Sequence, residues 1–375
     1  MEKAKTSWTK YVIPGFVFQQ VVIGGGYGTG AEIAQFFGTQ GLLGGFLAQM
    51  ITMVVWTLMC VITFEFVRIF KTYDYGSLMK RLLGRGAILY EVCYWAMMVI
   101  IMGVVCASAG SMLNSLTGLS KWFGIGILSA GMVILVLKGT ATIEKALTVW
   151  GYILYAVYIL FMAVVFYKFG GAIANEFARA EIGGDWWFNG LRYSFYNLVV
   201  VAVVLYTVRD LKTRKEAVLC GIISGIFGII PAVLLLLVMG CNFTAAIQAE
   251  IPVAVVFEEL NMLWLYILFE SVLLGTLIAT GTGFIKAVDD RVEIAYKRAK
   301  GYVPRWVRPA IAVGLTALGV VVSTFGLIPL IAQGYGIICW GFFLFFALPM
   351  LTIGLYKINS HDPDAEIEAE MYNEN

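Results

Sequence analysis

Gly24-Gly25-Gly26-Tyr27-Gly28-Thr29-Gly30 interrupts the first apolar run of the chain, and a polar, aromatic stretch, Arg192-Tyr193-Ser194-Phe195-Tyr196-Asn197, interrupts another at the matching place in the second half. Inside a bilayer every backbone N–H and C=O must find a partner, so helix-breaking sequence at mid-membrane depth belongs where backbone lines a cavity or a bound group. Five glycines in seven residues exceed what close helix packing alone uses. Paired breaks of this kind, one in each half of a chain, point to a binding site between the halves.

The surrounding composition is that of a polytopic membrane protein. Of 375 residues 60% are hydrophobic and 13% charged, and the mean hydropathy is +0.85; soluble domains carry about a quarter charged residues. The first apolar run, from Tyr11, is longer than a signal-peptide core and has no small-x-small cleavage site, so it reads as a retained helix of a chain whose mature form starts at Met1. Cys60, Cys93, Cys106, Cys220, Cys241 and Cys339 lie in or beside apolar runs without C-x-x-C spacing, as packed thiols do. His361 is the single histidine, which argues against a histidine-ligated metal. The net charge of +2 suggests no nucleic-acid partner.

At about 20 residues per crossing, the sequence predicts ten spans, near 11–37, 41–67, 87–113, 121–138, 144–168, 187–207, 216–240, 263–288, 306–325 and 327–356. Turn or charge signals separate them, among them Gly38-Thr39-Gln40-Gly41, Lys80-Arg81, Gly139 and Arg209-Asp210. Asn242 to Asn261 reads as a short extracellular helix or hairpin. With the N-terminus inside, the cytoplasm receives Lys3, Lys5, Lys10, the cluster Arg68 to Arg85, Lys138, Lys145, Arg209 to Lys215, Lys286 to Arg308 and Lys357. The outside receives Lys121, Lys168, Arg179 and Arg192. That bias places both termini in the cytoplasm of a multi-pass plasma-membrane protein.

A cut between spans 5 and 6 gives two five-span blocks, 1–169 and 187–356, of opposite orientation, joined by an extracellular linker at 170–186. An acidic cytosolic tail with Asp362, Asp364, Glu366, Glu368 and Glu370 follows at 357–375. The expected fold is therefore an all-α membrane protein with a 5+5 inverted repeat and discontinuous helices 1 and 6.

This architecture, with Gly28-Thr29-Gly30-Ala31-Glu32-Ile33-Ala34-Gln35-Phe36-Phe37 after the first break and Tyr196-Asn197 at the second, resembles the LeuT-type fold of the amino acid–polyamine–organocation (APC) transporter superfamily. More narrowly it resembles the YkvI-like bacterial membrane proteins. The resemblance in architecture spans nearly the whole chain; its specific strings occupy these two segments. It implies an ion-coupled symporter that moves a small amino acid-like or amine-bearing solute by alternating access, and not an enzyme. A non-transporting membrane sensor or partner protein on the same fold is the alternative. No H-E-x-x-H, G-x-S-x-G or nucleotide-binding G-x-x-x-x-G-K-[ST] occurs in the sequence.

On this reading the solute contacts are Gly26, Gly28, Thr29, Gly30, Tyr193, Phe195, Tyr196 and Asn197, with freed carbonyls suited to a cation and the start of the outer half-helix suited to a carboxylate. Glu32, Arg192 and Glu270 are costly intramembrane charges, and so candidates for a gate or for binding the solute. Glu65 and Glu91 fall near basic loops, and Lys286 reads as reaching the inner interface. The resemblance further implies a sodium site from the carbonyls of Gly24, Tyr27 and Ala279 and the Thr282 hydroxyl. Gly283 stands where a second hydroxyl belongs, leaving Thr280 or water to replace it and protons as the other coupling ion. The partners expected are a small solute and lipid, with the chain a monomer or homodimer.

Overall fold

The computed structural model describes residues 8–138, 140–304 and 306–361. Lys3 and Lys5, the Gly139 turn and the acidic tail lie outside them, as does the side chain of Lys145. The helices follow in chain order: α1 (Thr9–Val22), α2 (Ala31–Phe36), α3 (Leu42–Phe70), α4 (Tyr75–Leu83), α5 (Ala87–Thr117), α6 (Lys121–Leu137), α7 (Thr140–Ala178), α8 (Trp186–Tyr196) and α9 (Leu198–Val203). Then come α10 (Arg214–Met239), α11 (Phe243–Gln248), α12 (Pro252–Leu260), α13 (Leu263–Lys300) and α14 (Val307–Ser323). The last, α15 (Leu327–Asn359), is one long apolar helix. It carries wide π-type turns at Leu330–Tyr335, Phe343–Ala347 and Met350–Gly354.

Six described helices are long and apolar enough to cross a membrane, and α6 and α14 are shorter apolar helices. The broken pairs α1/α2 and α8/α9 bring the candidate crossings to ten. All-helical crossing follows from the bilayer's lack of hydrogen-bonding solvent. Small residues set the closest approaches. A Cβ added at Gly221 would lie 2.6 Å from the backbone of Val61, and one at Gly225 2.6 Å from the backbone nitrogen of Thr57. These two glycines, four apart on α10, let its backbone approach that of α3 as larger side chains could not. Gly124 on α6 meets the Ala109 carbonyl of α5 in the same way.

Four boundaries differ from the sequence expectation. The loop with Lys80-Arg81 contains α4, whose start is capped by Asp74 accepting from the Ser77 N–H at 2.9 Å. The helix α7 runs through Gly170 and Gly171 to Ala178, so the expected linker is helical over its first part. Nothing lies within 4 Å of a Cβ at either glycine, and paired glycines in a solvated helix cost only about 1 kcal/mol each relative to alanine. The stretch 242–261 forms the two short helices α11 and α12. The second interruption is narrower than Arg192–Asn197: Arg192 to Tyr196 are helical, and only Asn197 separates α8 from α9. Side chains take up the slack in backbone bonding there. Asn197 Nδ2 donates to the Tyr193 carbonyl at 3.1 Å, and Trp56 Nε1 donates to the Ser194 carbonyl at 3.1 Å.

Candidate functional site

The first break is built by glycines in left-handed conformations that side chains disfavour. Gly25 has φ +49° and Gly30 φ +83°, and the chain turns twice in seven residues: the Tyr27 N–H donates to the Gly24 carbonyl (3.0 Å) and the Gly30 N–H to the Tyr27 carbonyl (2.9 Å). Thr29 is buried, its Oγ1 donating to the Gly26 carbonyl at 2.8 Å. Its own carbonyl accepts from the Val253 N–H of α12 at 3.2 Å. The break is thus tied to the helices that follow α10.

Glu32, in the first turn of α2, is buried and accepts a hydrogen bond from Tyr196 Oη at 2.6 Å. That bond joins the two broken helices. The Tyr196 ring stacks on Tyr335, with centroids 4.6 Å apart and planes 20° apart, and Tyr335 closes the first π-type turn of α15. Wide turns of this kind recur at functional sites because they push one residue out of helical register.

Beneath this contact lies a cavity of about 50 Å³ lined by Gly24, Gly25, Glu32, Tyr196, Asn197, Thr280 and Tyr335, with Tyr94, Met97 and Ile101 of α5 and apolar residues of α1, α9 and α13. It lies between the two breaks and extends along α1 and α9. On the opposite side the structure is shut. Phe36, Tyr193 and Tyr196 pack ring to ring, Lys121 pairs with Glu250 at 2.7 Å, and Ser111 Oγ donates to Glu250 at 2.7 Å.

The residues singled out from the sequence separate into distinct environments. Glu32, Tyr196 and Asn197 line the cavity with Gly24. Gly26 lies beneath Glu32: a Cβ there would be 3.2 Å from the Glu32 Cγ and 2.6 Å from Ile331. Gly28 packs on Leu273 of α13 and Gly30 on Met239 and Pro252. Tyr193 is buried among Phe36, Phe37 and Trp56, whereas Phe195 faces Trp340 and Phe343 of α15, away from the cavity.

Arg192 and Glu32 are turned to different partners. The Arg192 guanidinium lies 5.8 Å from the Phe36 and Phe188 ring centres, and its Nη2 donates to the Ala332 carbonyl of α15 at 3.3 Å. Its path is opened by Gly336, where a Cβ would collide with Nη2. Glu270 is buried on α13 outside the cavity lining, and its Oε1 has no hydrogen-bond partner among the described residues.

At the postulated sodium site, the α13 side chain that meets Gly24 is Thr280, whose Oγ1 would lie 3.5 Å from a Cβ there. Thr282, two residues on, projects from the opposite side of the helix at about 100° per residue. It is fully buried, is not part of the cavity lining, and its hydroxyl has no partner among the described residues. Ala279 is buried next to Thr280 on the same helix. The carbonyls of Gly24 and Tyr27 each already accept a turn N–H, which leaves one lone pair apiece.

Sequence reasoning missed Tyr335, Tyr94 and the α5 methionine. Each lies in an apolar run where an aromatic or a methionine reads as packing; Gln333 and Gly334, just before Tyr335, are the irregularity in the sequence beside it.

No protein-family model matches the sequence, and no curated protein matches it. Solved structures do match. A Na⁺-coupled sialic acid symporter in a substrate-bound outward-open state superposes with a TM-score of 0.61 at 13% identity, covering 94% of this chain and 82% of that one. MhsT in complex with L-phenylalanine gives 0.57 at 14%, covering 94% and 97%. Mhp1, a nucleobase-cation-symport-1 family transporter in a closed conformation with bromovinylhydantoin bound, gives 0.53 at 13%, covering 89% and 78%. The chain therefore has a helical membrane transporter fold of the LeuT type.

Proposed function

We propose that this protein is an ion-coupled secondary transporter of the YkvI-like kind, moving a small amino acid-like or amine-bearing solute by alternating access. The observation that carries the reading is the buried Tyr196–Glu32 bond joining two interrupted helices above a cavity that both breaks line. A chain that unwinds two membrane helices at one place gives up regular backbone bonding there, and solute binding is the gain that offsets it. The matched structures support this as a class, since they include a Na⁺-coupled symporter and a protein holding an amino acid.

On this reading the blocks 1–169 and 187–356 are the two inverted halves, both termini are cytoplasmic, and the shut face carrying α11 and α12 is external. The arrangement is an outward-closed state whose cavity leans toward the cytoplasm. Coupling is to sodium near Gly24 and Thr280, or to protons.

Purified protein reconstituted into liposomes tests the reading. Uptake of radiolabelled amino acids and amines should exceed that of empty liposomes only under an imposed sodium or proton gradient. Gradient-independent binding without accumulation would instead identify a ligand sensor.

A further inference from the structure

The cavity contains a single formally charged residue, Glu32, and no lysine, arginine or histidine lines it. The place a solute carboxylate would take, the start of the outer half-helix, is already used by the chain itself. The Ala31 N–H donates to Thr29 Oγ1 at 3.3 Å, the Glu32 N–H to the Gly26 carbonyl at 3.2 Å and the Ala34 N–H to the Gly30 carbonyl at 2.9 Å. The Glu32 side chain folds back over the same glycines, with its Oε1 3.2 Å from a Cβ position at Gly26, and the backbone N–H groups of Tyr27 and Gly26 interact with its carboxyl. A six-residue half-helix so occupied has little left for a second anion. The nearest guanidinium, Arg192, is spent on the Ala332 carbonyl and two rings outside the lining.

The surroundings suit a cation instead. Glu32 is met by a neutral phenol and by backbone N–H groups, and has no basic side chain bonded to it among the described residues. Beside it the cavity offers the Tyr335 and Tyr196 rings, the Thr280 hydroxyl and the Asn197 amide, whose nitrogen is already bonded to the Tyr193 carbonyl so that its oxygen remains to accept. A buried carboxyl without a counter-charge takes up a proton instead of staying charged, and an ammonium brings that one charge together with three N–H groups. At about 50 Å³ the space admits a small headgroup and little else.

We propose that Glu32 is the counter-ion of an organic ammonium, and that the solute of this protein is an amine without a carboxylate of its own. This rests on the cavity being the solute site. A zwitterion would bring a second negative charge close to Glu32 in a water-poor space with no basic group to neutralise it.

The test uses the full chain in lipid nanodiscs and pairs of compounds that differ only by a carboxyl group: ethylamine and alanine, isobutylamine and valine, phenethylamine and phenylalanine. Thermal shift and titration calorimetry are run in sodium and in potassium buffers. At least one amine is expected to bind tenfold or more tightly than its amino acid, and Glu32→Gln to remove that preference. Tyr196→Phe, which keeps the ring, is expected to weaken amine binding several-fold and serves if the Glu32 variant does not fold. Equal or tighter binding of the amino acids overturns the proposal, as does a response to sodium with none to any amine, or no binding by any member of the pairs. Liposome uptake separates this from the transport reading. A protein that binds amines and accumulates none retains the ammonium site and loses the transport function; one that accumulates amino acids in preference does the reverse.

Discussion

Tyr196 donates to Glu32 across 2.6 Å, and among the described residues this is the one side-chain hydrogen bond between the two broken helices. Removing either end leaves the other buried without its partner, and such a loss costs about 1–3 kcal/mol. Tyr196→Phe and Glu32→Leu are each expected to lower the apparent melting temperature of the protein. The double variant should be less destabilised than the sum of the singles, because they share one contact. Additive losses in a thermal-melt cycle would show that the two residues act separately.

Gly28 meets Leu273 with no room for a methyl group: a Cβ would lie 2.2 Å from Leu273 Cδ1. Gly28→Ala should therefore impair folding or solute uptake, and Gly28→Leu should abolish uptake. The pair Gly28→Ala with Leu273→Ala should recover part of the loss, since the obstacle is the end of a side chain and not backbone. No recovery in reconstituted uptake would mean that the glycine serves a conformational need instead.

The glycines of α10 and α7 make opposite demands. Gly225→Ala drives a methyl group into the Thr57 backbone, and overpacking against a rigid neighbour costs about 1–3 kcal/mol or more. Gly170→Ala, in a helix with nothing within 4 Å, should be neutral or raise stability by up to about 1 kcal/mol. Folded yield by size-exclusion chromatography distinguishes the two, and a well-folded Gly225→Ala protein would contradict the close approach of α3 and α10.

If sodium is the coupling ion at the break, its side-chain oxygen is expected from Thr280 and not from Thr282. Thr280→Val should raise the sodium concentration needed for half-maximal uptake roughly tenfold or more, the effect of losing one good ligand contact of about 1.4 kcal/mol. Thr282→Val should change it little. The reverse order would restore Thr282 to the ion site, and no sodium dependence in either would direct attention to protons and Glu270.

Orientation follows from the charge bias. Single cysteines at the exposed positions Thr39 and Gln248 should react with an impermeant thiol reagent added outside cells, and ones at Arg85 and Thr213 should not. Five of the six native cysteines are buried and Cys241 is half-buried, so background labelling should be low. External labelling at Arg85 would invert the topology.

The breaks and spans were legible because they obey backbone physics: glycines at positive φ, and apolar runs of membrane length. What escaped the sequence depends on phase and on side-chain bonding. Thr280 and Thr282 carry the same hydroxyl two residues apart, and only the packed helix decides which one meets Gly24. Arg192 was visible as a charge, but its turn toward Ala332 needed the notch at Gly336, one of four glycines in an apolar helix. The second break looked longer than it is because Tyr193, Ser194 and Asn197 read as helix-disfavouring. The Ser194 hydroxyl and the Asn197 amide, with Trp56, instead bond the carbonyls of α8. The helix α4 was marked only by Asp74 and Ser77, three residues apart in a stretch otherwise read as a basic loop.

Glu216, at the start of α10, divides its two oxygens between two tasks. One meets Lys10 of α1; the other accepts from the backbone N–H groups of Lys212 and Thr213, completing the box that caps α10. The inner half-helix is thus fastened to a group that keeps its own structural bonds when the fastening lets go. Releasing Lys10 gives up one ion pair and leaves the end of α10 intact. On the alternating-access reading, such a contact can open and close without fraying the helix that anchors it.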